Sequence, residues 1–265
     1  MNAQADDPRL GEHLAAINAC NQRGGRMLSL PDLIAAGTVD LPLAAYLAAA
    51  MRAGASLLVG ARPGGAGKTT VMCALLNFLP DETSIRVAES SAVLAHAAGD
   101  TAAGKTCYIA HEIGNAALYA YLWGRAAQAF FALAARGHLI AANLHADTPA
   151  EAQEQLCGEN GVAAAHLTAV KLKLFLRVNS GRGSAARRVV SHVYESDGTR
   201  DHLLWRHDPA AGFVRDASHA STLVTPRNEA CYHRFLTTLM TQRVHTIDDV
   251  RRALIRNHTG IHGQQ

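Results

Sequence analysis

The sequence predicts an α/β fold: a mostly parallel sheet with helices on both faces, and helical additions at the N- and C-terminal ends. Strand-like and helix-like stretches alternate from residue 55 to about 180, the pattern of strands joined by crossover helices. The first strand-like runs are short and apolar, as buried strands are. With 265 residues and 49% apolar content, the chain can bury a real core, as one α/β domain with additions or as two small domains.

Taken in order, residues 1–54 read as helical and Ala-rich, with breaks at Gly24, Gly25 and Gly37. Pro31 lies just behind Ser29 and Pro42 just behind Asp40, as at helix starts, where a proline loses no hydrogen bond. Ala55–Ala61 (ASLLVGA) reads as the first strand. Lys68–Leu79 reads as a helix, with apolar residues at Val71, Leu75, Leu76 and Leu79. Further strands are expected at 84–88, 106–111, 138–145 and 172–178. Ala116–Ala135 comes nearest to a membrane span, but Arg125 and Gln128 interrupt it and a buried helix is expected. After the polar, Gly-rich stretch Asn179–Ala186, the runs Arg188–Tyr194 and His202–Arg206 read as a meander at the sheet edge. Beyond Pro226 the pattern is helical again, and Thr246 with Asp249 three residues later resembles an N-cap pair opening a helix over 247–257. The expected organisation is a helical segment at 1–54, an α/β domain at 55–206 and a helical extension at 207–265.

A formal charge of +3 is too mild to argue for nucleic acid. Five cysteines, an odd number without C-x-x-C spacing, suggest neither a disulfide framework nor a zinc site, which fits a reducing cytoplasm. No apolar h-region follows the N-terminus, so no signal peptide is visible and membrane contact is expected to be peripheral.

The chemistry-bearing stretch is GARPGGAGKTT at 60–70. A phosphate loop needs a strand before it and a helix after it, so that backbone N–H groups and the helix N-terminus point at the phosphates. A rival segment, Gly99–Thr106 (GDTAAGKT), spells G-x-x-x-x-G-K-[ST] letter for letter, but the strand-like run CYIA follows it. Context outweighs spelling. Gly64, Gly65, Ala66, Gly67, Lys68, Thr69 and Thr70 are therefore expected on the phosphates of a nucleotide, with Lys68 as the cation near the β and γ groups and Thr69 as a magnesium ligand. The whole chain has only four lysines, so one in a glycine loop is less often background. An NTPase also needs an acidic group for magnesium or the attacking water, and a polar group that reports loss of the γ-phosphate. Glu112 and Glu89 each end a strand-like run and fit acidic roles; the competing reading for either is a solvated turn residue. His145 ends HLIAANL at a similar strand end, where a lone histidine is ordinarily a satisfied structural residue.

RGHLIAANLHADTPAEAQEQL, 136–156, resembles the histidine box of the type II/type IV secretion and pilus ATPases, with Gly137, His138, Leu144, His145, Ala146, Ala152 and Leu156 on its pattern. YIAHEIGNAA is similar to that family's Walker B segment, with Glu112 on its glutamate. RVAESSAVL looks like a remnant of its aspartate box, and MLSLPDLIAAGTVD and RRVVSHVYES are closest to the Tad/CpaF branch, related to the VirB11-type conjugation ATPases. The resemblance covers about residues 27–206. It implies a RecA-like P-loop NTPase core, normally hexameric, driving a pilus or secretion platform from the cytoplasmic side of the inner membrane. It also implies that Glu112 orients water or metal while His138 and His145 couple γ-phosphate state to subunit movement. Several positions depart from the pattern: Arg62 replaces the first loop glycine, where bulk would crowd the turn, His111 precedes Glu112, and Gly114 and Ser90 replace an arginine and an acidic residue. Between Glu89 and Glu112 only 22 residues remain, too few for the family's arginine-bearing strand and helix. Binding survives these departures better than hydrolysis does.

Two functions are thus carried forward: a Mg-ATP-hydrolysing motor, weak or partner-dependent, and an ATP-binding regulatory or assembly subunit that works beside a second ATPase. A nucleic-acid translocase or small-molecule kinase is disfavoured by the histidine box and by the absence of arginine from 146–170. Arg182, Arg187 and Arg188 flank a Gly/Ser loop and read as solvated, the alternative being a finger toward a neighbour's nucleotide or a phosphate patch. His202 and His207 lack companions at metal spacing, so no resident metal is assigned.

Overall fold

The computed structural model describes residues 8–21, 24–100, 106–179 and 186–261, with side chains placed through 257. The spelled motif at 99–106 falls largely on 101–105, outside the described residues, as do Lys105 and Arg182. Thr106 itself already opens a strand, so no helix follows that motif.

The N-terminal stretch forms α1 (Pro8–Ala19), α2 (Leu30–Ala35) and α3 (Leu41–Arg52). The two expected helix starts hold: Ser29 and Asp32 close a reciprocal capping box, and Asp40 accepts from the Leu43 N–H, each with proline in the first turn. Then come β1 (Leu57–Gly60), α4 (Lys68–Leu76), β2 (Ser84–Val87), α5 (Ser91–Gly99), β3 (Thr106–Ile113), β4 (Tyr121–Leu122), α6 (Arg125–Ala135) and β5 (Leu139–Leu144). They are followed by α7 (Pro149–Gln153), a π-helical turn (Glu154–Glu159), α8 (Ala164–Thr168), β6 (Leu172–Asn179), β7 (Arg187–Ser196), β8 (Asp201–Asp208) and β9 (Gly212–Arg215). The chain closes with α9 (Pro226–Thr241) and α10 (Ile247–Ile261), the latter capped by the Thr246 hydroxyl accepting from the Asp249 N–H at 3.0 Å.

The nine strands form one mixed sheet in the order β2-β3-β5-β1-β6-β7-β8-β9, with β4 pairing β3. From β2 to β6 neighbours run parallel; β6 through β9 is an antiparallel meander. Alternation of side chains divides the core between two faces. On one face Leu57, Val59, Ile109, Ala141 and Leu174 pack under α1–α4, α9 and α10. On the other, Leu58, Tyr108, Ala110, Ile140 and Phe175 pack under α5–α8.

The terminal helices share the first of these cores. Buried Arg251 of α10 donates to the carbonyls of Asn77 and Leu79 just past α4, and Glu195 of β7 accepts from the Tyr46 hydroxyl of α3 at 2.7 Å. The boundary expected at 206 falls inside β8. The expected helix at 116–135 is corrected: it starts only at Arg125, because Gly124 (φ 57) turns the chain and its N–H is held by Asn160 Oδ1 at 2.7 Å, while Tyr121–Leu122 pairs with β3. Among the described residues no helix is long and apolar enough to cross a membrane.

Candidate functional site

The parallel strands all end at one edge of the sheet, and β1 ends between β5 and β6. The link from β1 to β2 crosses one face with α4, whereas the later links cross the other, so the chain diverges outside the end of β1. Open α/β sheets leave their crevice at such a point. Residues 61–67 span it. Gly65 (φ 78) and Gly67 (φ 93) take left-handed backbone that a Cβ would strain, and Gly67 directly precedes α4 with no side-chain cap. The first N–H groups of α4 therefore lack side-chain acceptors and carry the positive end of the helix dipole.

Lys68, Glu112, Asn143 and His145 converge beneath this loop. The buried Lys68 ammonium lies 3.0 Å from Glu112 Oε2 and 3.2 Å from the Ala61 carbonyl it donates to. Burial pushes the Glu112 carboxyl above its ordinary pKa, an effect opposed first by Lys68 and then by His145. Its second oxygen, Oε1, is buried without a hydrogen-bond partner among the described residues. His145, half-exposed, holds its Nε2 3.8 Å from Glu112 Oε2. The His145 backbone N–H donates to Gln155 Oε1, whose amide in turn donates to the Ile113 carbonyl, so the end of β5 is pinned to the end of β3.

Sequence reasoning missed Asn143. Fully buried on β5, its Nδ2 donates to Thr69 Oγ1 at 3.2 Å and to the His111 carbonyl at 2.8 Å, joining α4 to the strand that carries Glu112. The signal was a lone amide inside the apolar run LIAANL.

Two expected site residues are not brought here. His138 precedes β5, at the opposite end of that strand from His145; a run of this length spans roughly 20 Å. It is buried edge-on against Tyr108, ring centroids 5.7 Å apart. A role for His138 on the nucleotide is therefore corrected to packing under the far end of the sheet. Glu89 follows β2, two strands away from β5; the interaction of its carboxylate with the Tyr119 phenol first, and burial second, push that phenol up to about 12. Together they border a cleft of about 520 Å³ with Arg86, Val93 and His96. Among the described residues no bond joins Glu89 to Lys68 or Glu112.

The departures at Arg62 and His111 acquire physical reasons. Arg62 has no positive φ and does not crowd the turn; its N–H donates to Asp147 Oδ1 at 2.8 Å and its guanidinium pairs with Glu151 at 3.1 Å. The start of the loop is thereby tied to the segment after His145. His111 is buried and meets Tyr119 edge-on, ring centroids 5.4 Å apart. On the other flank Arg188, expected to be solvated, donates from Nε to the Gly65 carbonyl at 2.8 Å and so touches the loop.

No family model matches this chain, and no curated protein matches it. The chain is similar to the crystal structure of the VirB11 ATPase from the Brucella Suis type IV secretion system in complex with sulphate. Sequence identity is 19% and the TM-score 0.45, over 64% of this chain and 55% of that one. The chain thus spans little more than half of that protein's length.

Proposed function

We propose that this chain binds Mg-ATP on a RecA-like P-loop core and hydrolyses it as a motor subunit of the type II/type IV secretion and pilus ATPase class. The observation that carries this reading is the buried Lys68–Glu112 ion pair at the N-terminus of α4, under a loop with two left-handed glycines. A buried lysine paired with a carboxylate is costly to desolvate. A phosphate chain gives it a use.

In this reading the N–H groups of 64–70 hold the phosphates, and Lys68 exchanges Glu112 for the β and γ oxygens. The freed carboxylate of Glu112 orients water, whose oxygen bonds the γ-phosphorus as the bond to the β–γ bridging oxygen breaks, and the water's proton passes to the released phosphate. The oxygen donors at hand suit a hard cation: Thr69 Oγ1, with Oε1 of Glu112 and Oδ1 of Asn143, both buried without a hydrogen-bond partner among the described residues. Thr69 and Glu112 would hold magnesium brought with ATP, which would neutralise charge developing on the phosphates. His145 and Asn143 sense the γ-phosphate through their links to Glu112 and Thr69.

The nucleotide unit is assigned to 55–206, flanked by the helices of 1–54 and 207–265. Self-assembly into a ring, an inner-membrane platform protein as partner, and a cytoplasmic place at that membrane belong to the same proposal. A regulatory or assembly subunit with little turnover, working with a second ATPase, is favoured by one observation: Glu89 follows β2, two strands away from β5, so that among the described residues Glu112 is the one carboxylate paired with Lys68. Phosphate release from Mg-ATP, measured against protein concentration for wild type and Glu112→Gln, separates these. The motor reading expects slow release, below the common enzyme level of about 10 per second, rising with concentration and lost in Glu112→Gln, which still binds ATP. Tight ATP binding with no release at any concentration selects the regulatory reading, and no ATP binding ends both.

A further inference from the structure

The flank of the loop opposite Lys68 carries a second cation. Arg188 lies near the start of β7, paired with Val178 of β6, which in turn pairs with β1, so loop and arginine are mounted on one continuous sheet. The strand is anchored beside it: Val189 and Val190 are buried, and the Val190 N–H donates to the Thr38 carbonyl at 2.9 Å. The arginine stem lies along Gly67, where an added Cβ would come 3.4 Å from Arg188 Cδ. Its Nε is engaged with the Gly65 carbonyl at 2.8 Å. Among the described residues no carboxylate or carbonyl is bonded to its two terminal amino groups, and the residue is exposed. By contrast Arg187, its neighbour, packs its guanidinium against Gly37, away from the loop.

We infer that Arg188 is a nucleotide-binding residue acting within its own subunit, its terminal amino groups contacting the α-phosphate. The inference rests on the phosphate-loop reading above. Lys68, Glu112 and His145 mark the γ end, on the β5 and β3 side of β1, and Arg188 reaches the loop from the β6 and β7 side. A phosphate chain lying across the loop thus meets Lys68 at one end and Arg188 at the other. A guanidinium already fixed through Nε loses little freedom when its two remaining amino groups bond an anion. The α-phosphate is common to ATP and ADP, so Arg188 sets affinity for both and does not tell them apart, whereas Lys68, at the β and γ oxygens, does.

The experiment compares equilibrium affinities for ATP and ADP, with magnesium, in wild type, Arg188→Ala, Arg188→Lys and Lys68→Met, with the ligand-free thermal midpoint of each. Loss of a charged hydrogen bond corresponds to about 10- to 100-fold in Kd. Arg188→Ala is expected to weaken ATP and ADP by the same factor in this range with the ligand-free midpoint nearly unchanged. Arg188→Lys, which keeps the charge without the fork, is expected to fall between. Unchanged affinities with a lowered midpoint would overturn the inference, leaving Arg188 as a strap on the loop; loss confined to ATP would overturn the α-phosphate assignment. If Lys68→Met also binds ATP as wild type does, the phosphate-loop reading itself has failed; if Lys68→Met loses ATP and Arg188→Ala loses nothing, only the arginine inference has.

Discussion

Replacing Lys68 by Met tests the site without any ligand. The methionine keeps the apolar stem packed, but leaves the Glu112 carboxylate, with its side chain only 8% exposed, without its cation. Breaking one partner of a buried pair costs about 3–5 kcal/mol. In a chain of this size each kcal/mol moves the thermal midpoint by about 2–4 °C, so a fall of roughly 10 °C is expected at neutral pH. The loss depends on pH with a definite sign. Burial raises the Glu112 pKa in the folded state, and in the variant Lys68 no longer opposes it. A carboxyl that holds its proton more tightly folded than unfolded destabilises the fold only once it must ionise. The deficit is therefore absent below about pH 4.3, the unfolded glutamate value, grows as pH rises to the folded value, and levels off above it. Adding Glu112→Gln to the variant removes the charge and restores most of the midpoint. Thermal melts of wild type, Lys68→Met and the double variant between pH 5 and 8.5 measure all of this. Equal midpoints for wild type and Lys68→Met across that range, or a double variant no better than the single, would refute the reasoning.

Asn143→Leu removes the tie between Thr69 and the His111 carbonyl; it is expected to leave ATP affinity within a few-fold while lowering phosphate release by at least about tenfold, the worth of roughly 1.4 kcal/mol. Gly67→Ala forces an L side chain into φ 93, costing about 1–2 kcal/mol of stability, and is expected to weaken ATP binding as well, both measurable by a melt with and without nucleotide. His145→Ala is expected to keep ATP affinity and lose turnover; a lowered midpoint with unchanged turnover per folded molecule would instead make it structural. Arg251→Met, in which the carbonyls of Asn77 and Leu79 lose a buried donor, is expected to cost several kcal/mol in denaturant unfolding, on the order of a broken buried network, without touching the site.

Legibility followed range of interaction. The strand before the loop and the helix after it were readable because apolar runs and glycines act locally, and both lie within a few residues of where the pattern put them. Helix caps at Ser29, Asp40 and Thr246 were equally local. What failed depended on partners far along the chain. The start of α6 is set by Asn160, 36 residues on, and the two-residue β4 exists only through pairing with β3. His138 and His145 look equivalent in sequence, yet one strand carries them to opposite edges of the sheet. Glu89 ends its strand as expected, but which neighbour its carboxylate meets is decided by the loop holding Tyr119. Arg188 looked solvated because nothing near it in sequence shows that β7 returns beside the loop.

The central claim is that strand–loop–helix context, and not spelling, locates the nucleotide. Mg-ATP affinity measured for wild type, Lys68→Met and Lys105→Met tests it most directly. The account predicts binding by the wild type, weakening of at least about tenfold in Lys68→Met, as expected for losing a charged contact, and wild-type affinity in Lys105→Met. Retained binding in Lys68→Met with loss in Lys105→Met, or no binding by the wild type, would contradict it.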